Sequence, residues 1–301
     1  MPEQILFHDC AVVIVNYNAG PLLKQAVQSV LCSEDVSKVI IVDNHSTDQS
    51  MDEMERIAVS QPRLICIRNQ ENLGFAKACN IGVEAAGNCD YLLFLNPDCL
   101  MEGNALELLL AFMKSSPKTG MAGPLLLNPD GTEQSGGRRA VPTPWRSFIR
   151  AFGLSKLGQR FPRLFTDFLL HQQPLPDRPA EVEAISGSCM LVRREALLDV
   201  GPLDEGYFMH CEDLDWCMRF RQKSWKIMFV PDARVIHHQG TCSQSRPVFV
   251  EWHKHKGMMR FYRKFFRHQY PGVLLWIVGI GVWLRFCVVA VFQCARNLMK
   301  R

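Results

Sequence analysis

Through its first hundred residues the chain alternates short apolar runs with stretches of helical periodicity. CAVVIV (10–15), KVIIV (38–42), LICIR (64–68) and YLLFL (91–95) read as strands. The segments 22–31, 51–60 and 76–86 read as the helices between them, with Ser46, Thr47 and Asp48 as caps for the second. Strands separated by helices predict a mainly parallel sheet with right-handed crossovers. The fourth run organises the rest: its five apolar residues have the composition of a strand buried on both faces, and it stops at Asn96, Pro97 and Asp98. In an open α/β sheet ligands gather beyond the carboxyl ends of the strands. A carboxylate released there by a proline-stiffened turn is placed to meet a metal or a phosphate.

Beyond this point the pattern predicts a helix over 104–114 and a strand over 121–127, closed by the turn NPDG. Regularity is lost over 136–180, which reads as a variable insertion over the crevice. It returns with strands at 182–185, in GSCMLVRR and at 226–230, and a helix over 195–200. The tail differs in kind. Residues 273–295 are almost wholly apolar and long enough to cross a bilayer, yet Arg285 sits at their centre and both flanks are basic. A helix or helical hairpin lying in the membrane interface fits as well as a span, and a core helix is the alternative. The division is therefore a catalytic-type α/β domain over 1–250 and a basic, apolar helical tail over 251–301.

Composition narrows the class. Of 301 residues, 48% are hydrophobic and 21% charged, which is ordinary for a globular protein. A net charge of +4 gives no reason to expect a nucleic-acid partner, but six cations and no acid lie between Lys254 and Arg267, so membrane contact is expected through 254–301. Twelve scattered cysteines without a CxxC pair read as reduced thiols. The amino terminus lacks the basic region and apolar length of a secretory signal, which keeps the α/β domain in the cytoplasm.

Candidate chemistry lies at the strand ends. NYNAGP (16–21) lacks the GxGxxG dinucleotide fingerprint, but Asn16 and Asn18 can hydrogen-bond a base or ribose and Tyr17 can stack. Asp43 can accept from a ribose hydroxyl or a base N–H, with Asn44 and Ser46 following, or it can simply close a turn. NLGFAKACNIG supplies Gly74 for close backbone approach, Lys77 as a phosphate partner and Asn80 on the same helix face. HCEDLDW places Glu212, Asp213 and Asp215 at the start of a helix, where like charges raise one another's pKa and one can serve as a base; helix amino termini also attract acids for their own sake. His237 and His238 follow a strand, where a structural imidazole and a metal or diphosphate ligand are both open readings.

In order and spacing, VNYN, VDNHSTD, NLGFAKACNIG, LLFLNPD, GSCMLVRR, LDEGYFMHCEDLDWCMRFRQKSWKI and VPDARVIHHQG resemble the family 2 glycosyltransferases, most closely their bacterial rhamnosyltransferase-like members. The resemblance covers roughly residues 10–245. It implies a GT-A fold and transfer of a sugar, with inversion, from a nucleotide diphosphate to an acceptor hydroxyl. It implies that Asn16, Tyr17, Asn18, Asp43 and Asn44 hold the nucleoside and that Lys77 and Asn80 position the diphosphate sugar. Asp98 matches the last carboxylate of the DXD metal motif, for Mg2+ or Mn2+, and His237 the late metal or diphosphate histidine. Asn96 stands where a strict DXD has its first aspartate, and one carboxylate fewer weakens metal binding. Asp213 matches the catalytic base, with Glu212 beside it. The basic, apolar tail further implies a lipid-linked glycan acceptor at the cytoplasmic face of the inner membrane, in cell-surface polysaccharide synthesis such as that of lipopolysaccharide, with dTDP-rhamnose a candidate donor. A nucleotidyltransferase would carry a glycine-rich basic loop after the first strand, which NYNAGP is not. A nucleotide-sugar-binding membrane protein without turnover is disfavoured by the presence of Asp98, Asp213 and His237.

Overall fold

A computed structural model describes residues 9–151, 153–161, 164–165, 167–240, 246–270 and 272–298. The amino-terminal apolar segment, the end of the GTCS turn and the last two basic residues lie outside the described residues. The first half follows the periodicity closely. β1 (Cys10–Asn16), α1 (Pro21–Leu31), β2 (Val36–Asp43), α2 (Ser50–Ala58), β3 (Leu64–Arg68), α3 (Phe75–Ala86) and β4 (Tyr91–Leu95) succeed one another, and β3, β2, β1 and β4 lie side by side, all parallel. Registers of Asn16 with Asp43 and of Ile14 with Leu95 bring the polar residues after each strand to one edge.

The second half extends this sheet with mixed polarity. β5 (Cys99–Met101), α4 (Ala105–Ser115) and β6 (Thr119–Leu127) follow β4, then β7 (Arg138–Arg139) and α5 (Pro144–Ala151) occupy the irregular region. The strand predicted over 182–185 is two short pieces, β8 (Ala180–Glu181) and β9 (Ala184–Ile185). β10 (Cys189–Arg193) inserts antiparallel between β4 and β6, so its amino-terminal end joins the carboxyl edge of the parallel strands. After α6 (Arg194–Val200) and α7 (Glu212–Gln222), β11 (Lys226–His237) runs past the predicted end at 230. It keeps pairing with β6 through an irregularity between Val230 and Arg234, which carries His237 to the edge beside Cys99.

Alternation along the buried strands divides the core into two layers. Val13 and Val15 face α3, α6 and α7, while Val12 and Ile14 face α1, α2 and α4. α7 is anchored by Trp216, which meets Phe94 and Phe220 edge to face at 5.3 and 5.4 Å and donates Nε1–H to the Gly201 carbonyl at 2.9 Å. Each such ring pair contributes about 1 kcal/mol beyond burial. This packing fixes the helix whose first turn carries the acidic cluster.

Residues 251–301 hold two helices of different character. α8 (Pro247–Phe266) contributes Phe261, Tyr262 and Phe266 to the domain core. α9 (Gly272–Leu298) packs on α8 through contacts such as Trp252 with Trp283 at 5.1 Å, but its stretch Leu275–Ala295 is almost unburied, which sets aside the core-helix alternative. No disulfide occurs among the described residues.

Candidate functional site

The turns after β1 and β2 form one hydrogen-bonded unit. Asn16 Nδ2 donates to Asp43 Oδ1 at 2.7 Å and reaches the hydroxyls of Ser46 and Ser50, while Asp43 also accepts from the Ser46 hydroxyl and amide. Asn18, with φ of 53°, accepts the Thr47 and Asp48 amides on Oδ1. Ser46 and Thr47 are thus committed to cross-linking the two turns rather than to capping α2, whose cap position is Gln49; Asp48 alone reaches the helix start, accepting the Ser50 amide. Asn44 continues the chain of bonds to the Gly74 carbonyl and to Asn69. Tyr17 stays half-buried and Lys77 exposed beside this network.

Gly74 has a tight role. At φ of 84° a Cβ there would lie 2.5 Å from the Phe208 carbonyl, which accepts the Phe75 amide at 2.7 Å. Asn80 lies deeper in the same helix, and its amide braces the loop before the acidic cluster through both polar atoms of Leu203's backbone and through Glu205. Two non-glycine residues of that region, His210 and Cys211, take positive φ immediately before Glu212, a conformation that costs of order 1 kcal/mol or more each and aims the first turn of α7.

A second cluster forms where β4, β5 and β11 meet. Asp98 and His237 are buried, and donor atoms of Asp98, Cys99 and His237 lie within 4.8 Å of one another. Gln134 sets the chemistry here. Its Nε2 donates to Asn128 Oδ1 and to the His237 carbonyl, so its Oε1 is the atom 2.6 Å from His237 Nδ1, and that ring nitrogen carries the proton. Nε2 then faces Asp98 Oδ1 at 3.2 Å, and that oxygen has no hydrogen-bond donor among the described residues. Two acceptors this close need a positive charge between them, either a proton on the imidazole or a cation, and a carboxylate with an imidazole fixed by an outer amide is a donor set that suits a divalent cation.

The two clusters meet through one dipeptide. The Asn96 amide donates to the Ser188 carbonyl at 2.8 Å, and the adjacent Gly187 amide donates to Asp213 Oδ2 at 3.0 Å. Asp213 also accepts the Leu214 amide on Oδ1 and pairs with Arg139, which in turn binds the Ile185 carbonyl. Asp215 is fully buried and spent on Arg219 and Lys264, which leaves Glu212 and Asp213 as the candidate pair. Their surroundings differ. Burial raises the Glu212 carboxyl, the Asp213 charge adds to the rise, and the group stands at about 8 with Oε2 unpartnered, whereas Asp213 is ion-paired.

A raised carboxyl contributes stability that is whole below its unfolded value of 4.5 and is lost as pH climbs through about 8. Glu212→Gln cannot titrate, so its stability advantage over the native chain opens as pH rises between those values. Thermal melts at pH 5 and pH 8 check this: the gap widens at pH 8, and equal gaps refute the assignment.

Sequence reasoning placed Asn16, Asn18, Asp43, Asn44, Ser46 and Gly74 near one another, and the structure joins them. It missed Arg139 and Gln134. Arg139 lies at the start of the 136–180 stretch read as an insertion, and Gln134 lies in the polar run TEQS just before it, where neither stands out.

Comparison with known proteins decides the family. Residues 11–201 match the model of glycosyl transferase family 2. The chain belongs to that family. An N-acetylglucosaminyl-diphospho-decaprenol L-rhamnosyltransferase of Mycobacterium tuberculosis is 33% identical over 249 residues, 79% of this chain and 78% of the relative. The rhamnosyltransferase WbbL of Escherichia coli K12 is 26% identical over 236 residues, 75% and 82% of the two chains. Among solved structures, the Pyrobaculum calidifontis mannosyltransferase PcManGT, in complex with GDP-Man and Mn2+, superposes with a TM-score of 0.57 at 15% identity, covering 95% of this chain and 75% of its own. The fold is GT-A, and this family 2 protein is a glycosyltransferase.

Proposed function

We propose that this glycosyltransferase moves rhamnose or a similar sugar, with inversion, from a nucleoside diphosphate to a hydroxyl of a lipid-linked glycan at the cytoplasmic membrane surface. The observation that carries the reading is the joining of the Asp98–His237 cluster to the Glu212–Asp213 pair through Gly187 and Ser188, at the edge where the nucleoside-type turns also converge. Tyr17, Asn18 and Ser46 form the partly exposed side of the nucleoside wall, braced from behind by the buried Asn16, Asp43 and Asn44, with Gly74 closing it. Lys77 reaches the diphosphate and Asn96 lines the turn above it, while Asn80 holds the 203–205 loop in place.

Asp98 and His237 would hold Mn2+ or Mg2+, which when bound neutralises the charge of the departing nucleoside diphosphate. Asp213, oriented by Arg139 and two backbone amides, takes the proton of the acceptor hydroxyl as that oxygen attacks the anomeric carbon from the face opposite the leaving group. Glu212, neutral near pH 7, donates a hydrogen bond in the same pocket; contrasting environments of two carboxyls assign their roles. Rhamnose is suggested by both relatives named above, and the lipid-linked acceptor by the mycobacterial one.

Thermal stabilisation by a panel of nucleotide sugars, with and without Mn2+, followed by determination of the product's anomeric configuration, tests the reading. Metal-dependent stabilisation by dTDP-rhamnose and an inverted linkage support it. Retention of configuration, or pyrophosphate release as in a nucleotidyltransferase, overturns it.

The membrane location rests on α9, whose exposed Trp276, Ile280, Leu284 and Val288 have no core to enter. Deleting 268–301 removes α9 but leaves α8 in the core. The truncated protein is expected in the soluble fraction after cell lysis and the full chain with membranes; a full chain already soluble refutes the anchor.

A further inference from the structure

Between α8, α9 and the loop containing Gly206 lies a surface cleft of about 500 Å³. Lys256, Arg260, Arg263 and Lys264 line it together with Met259 and Trp283. Asp204 pairs with Arg260 at 2.9 Å and with Lys264 at 2.7 Å, and Asp215 pairs with Lys264 at 2.6 Å. Lys256 and Arg263 are exposed and have no carboxylate partner among the described residues. Asp215 is shared with Arg219, so the two carboxylates leave the four lining cations with an excess of at least two positive charges.

We propose that this cleft receives the diphosphate of the acceptor lipid. The inference rests on the lipid-linked reading above and adds the place where the acceptor's charge is bound. A diphosphate joining a sugar to an isoprenoid carries two negative charges, which matches the excess. One end of the cleft opens along α9, whose exposed apolar side chains continue from Trp283 and offer a path for the prenyl chain. Lys264, on the cleft wall, is bonded to Asp215 in the first turn of α7, so the cleft adjoins the helix that carries Asp213. An ordinary anionic headgroup, with one charge, would leave the charge excess unmatched. Arg260 and Lys264 build the walls through their carboxylates, which leaves Lys256 and Arg263 as the pair that meets the ligand.

The test uses the full chain in detergent micelles and compares it with Lys256→Ala/Arg263→Ala, both checked by thermal melting. Acceptors are a synthetic sugar-diphospho-polyprenol and the same sugar as a neutral alkyl glycoside. The ratio of KM for the first to KM for the second is expected to rise at least tenfold in the variant, and Lys256→Arg/Arg263→Lys to restore most of it. Calorimetry with farnesyl diphosphate follows the cleft without turnover, and the alanine variant is expected to lose that binding. Unchanged KM ratio, equal binding of farnesyl diphosphate, or full displacement of it by phosphatidylglycerol vesicles each overturns the proposal. A native enzyme that uses neither acceptor but binds farnesyl diphosphate through these two residues instead overturns the lipid-linked reading and leaves the cleft assigned.

Discussion

Asp213→Asn is expected to lower the turnover of sugar transfer by about a thousandfold while leaving nucleotide-sugar affinity within about twofold. The side chain keeps its shape, and the bonds from Gly187 and Leu214 run to positions that an amide oxygen can fill only on one side. What is lost is the charge that balances Arg139 and the lone pair that takes the acceptor proton. Because Asp213 joins the Asn96 turn only through the Gly187–Ser188 backbone, the nucleotide wall around Asn16 and Asp43 has no direct stake in the change. Steady-state kinetics for transfer, alongside calorimetry of donor binding, separate the two effects. Turnover within tenfold of native removes Asp213 from the role of base and passes it to Glu212. Joint loss of transfer and donor affinity points instead to collapse of the Gly187–Arg139 arrangement.

How far the molecule was legible depends on how local its determinants are. β1 to β4 announce themselves because each is a continuous β-branched or aromatic run ended by a polar turn, and their parallel order follows from the helices between. β5 was invisible, since three residues carry no period. α8 was legible only as charge: cations spaced through it mask Phe261, Tyr262 and Phe266, which share its inward face. At the site, acidic and amide residues at strand ends were found because the edge of a parallel sheet is a predictable place. Arg139 and Gln134 were not, because their partners Asp213 and His237 lie 74 and 103 residues away, and nothing along the chain encodes such pairings. The strained turn at His210 and Cys211 is hidden for a related reason. It is imposed by α8, whose Gly257 lets the helix approach so closely that a Cβ there would stand 2.8 Å from the His210 carbonyl.

Asp98→Ala is expected to weaken Mn2+ binding 10- to 100-fold and to lower kcat/KM for the nucleotide sugar by roughly a hundredfold or more. With Nδ1–H given to Gln134, His237 presents Nε2 to Asp98 Oδ1 at 3.2 Å, and removal of the carboxylate takes from the cluster its anionic oxygen, leaving the imidazole beside the Cys99 thiol. The backbone survives the change: the Asp98 carbonyl still accepts the His238 amide at 2.9 Å, and β5 still pairs with β11. Relief of an acceptor–acceptor contact makes the metal-free variant at least as stable as the metal-free native chain, whereas a merely structural aspartate would destabilise on removal. Melts in the presence of a chelator, then titration with Mn2+ by electron paramagnetic resonance at fixed nucleoside diphosphate, read the two consequences separately. Unchanged metal affinity would move the cation away from Asp98. A metal-free variant that melts well below the native chain would mean that a shared proton, and not a cation, holds Asp98 and His237 together.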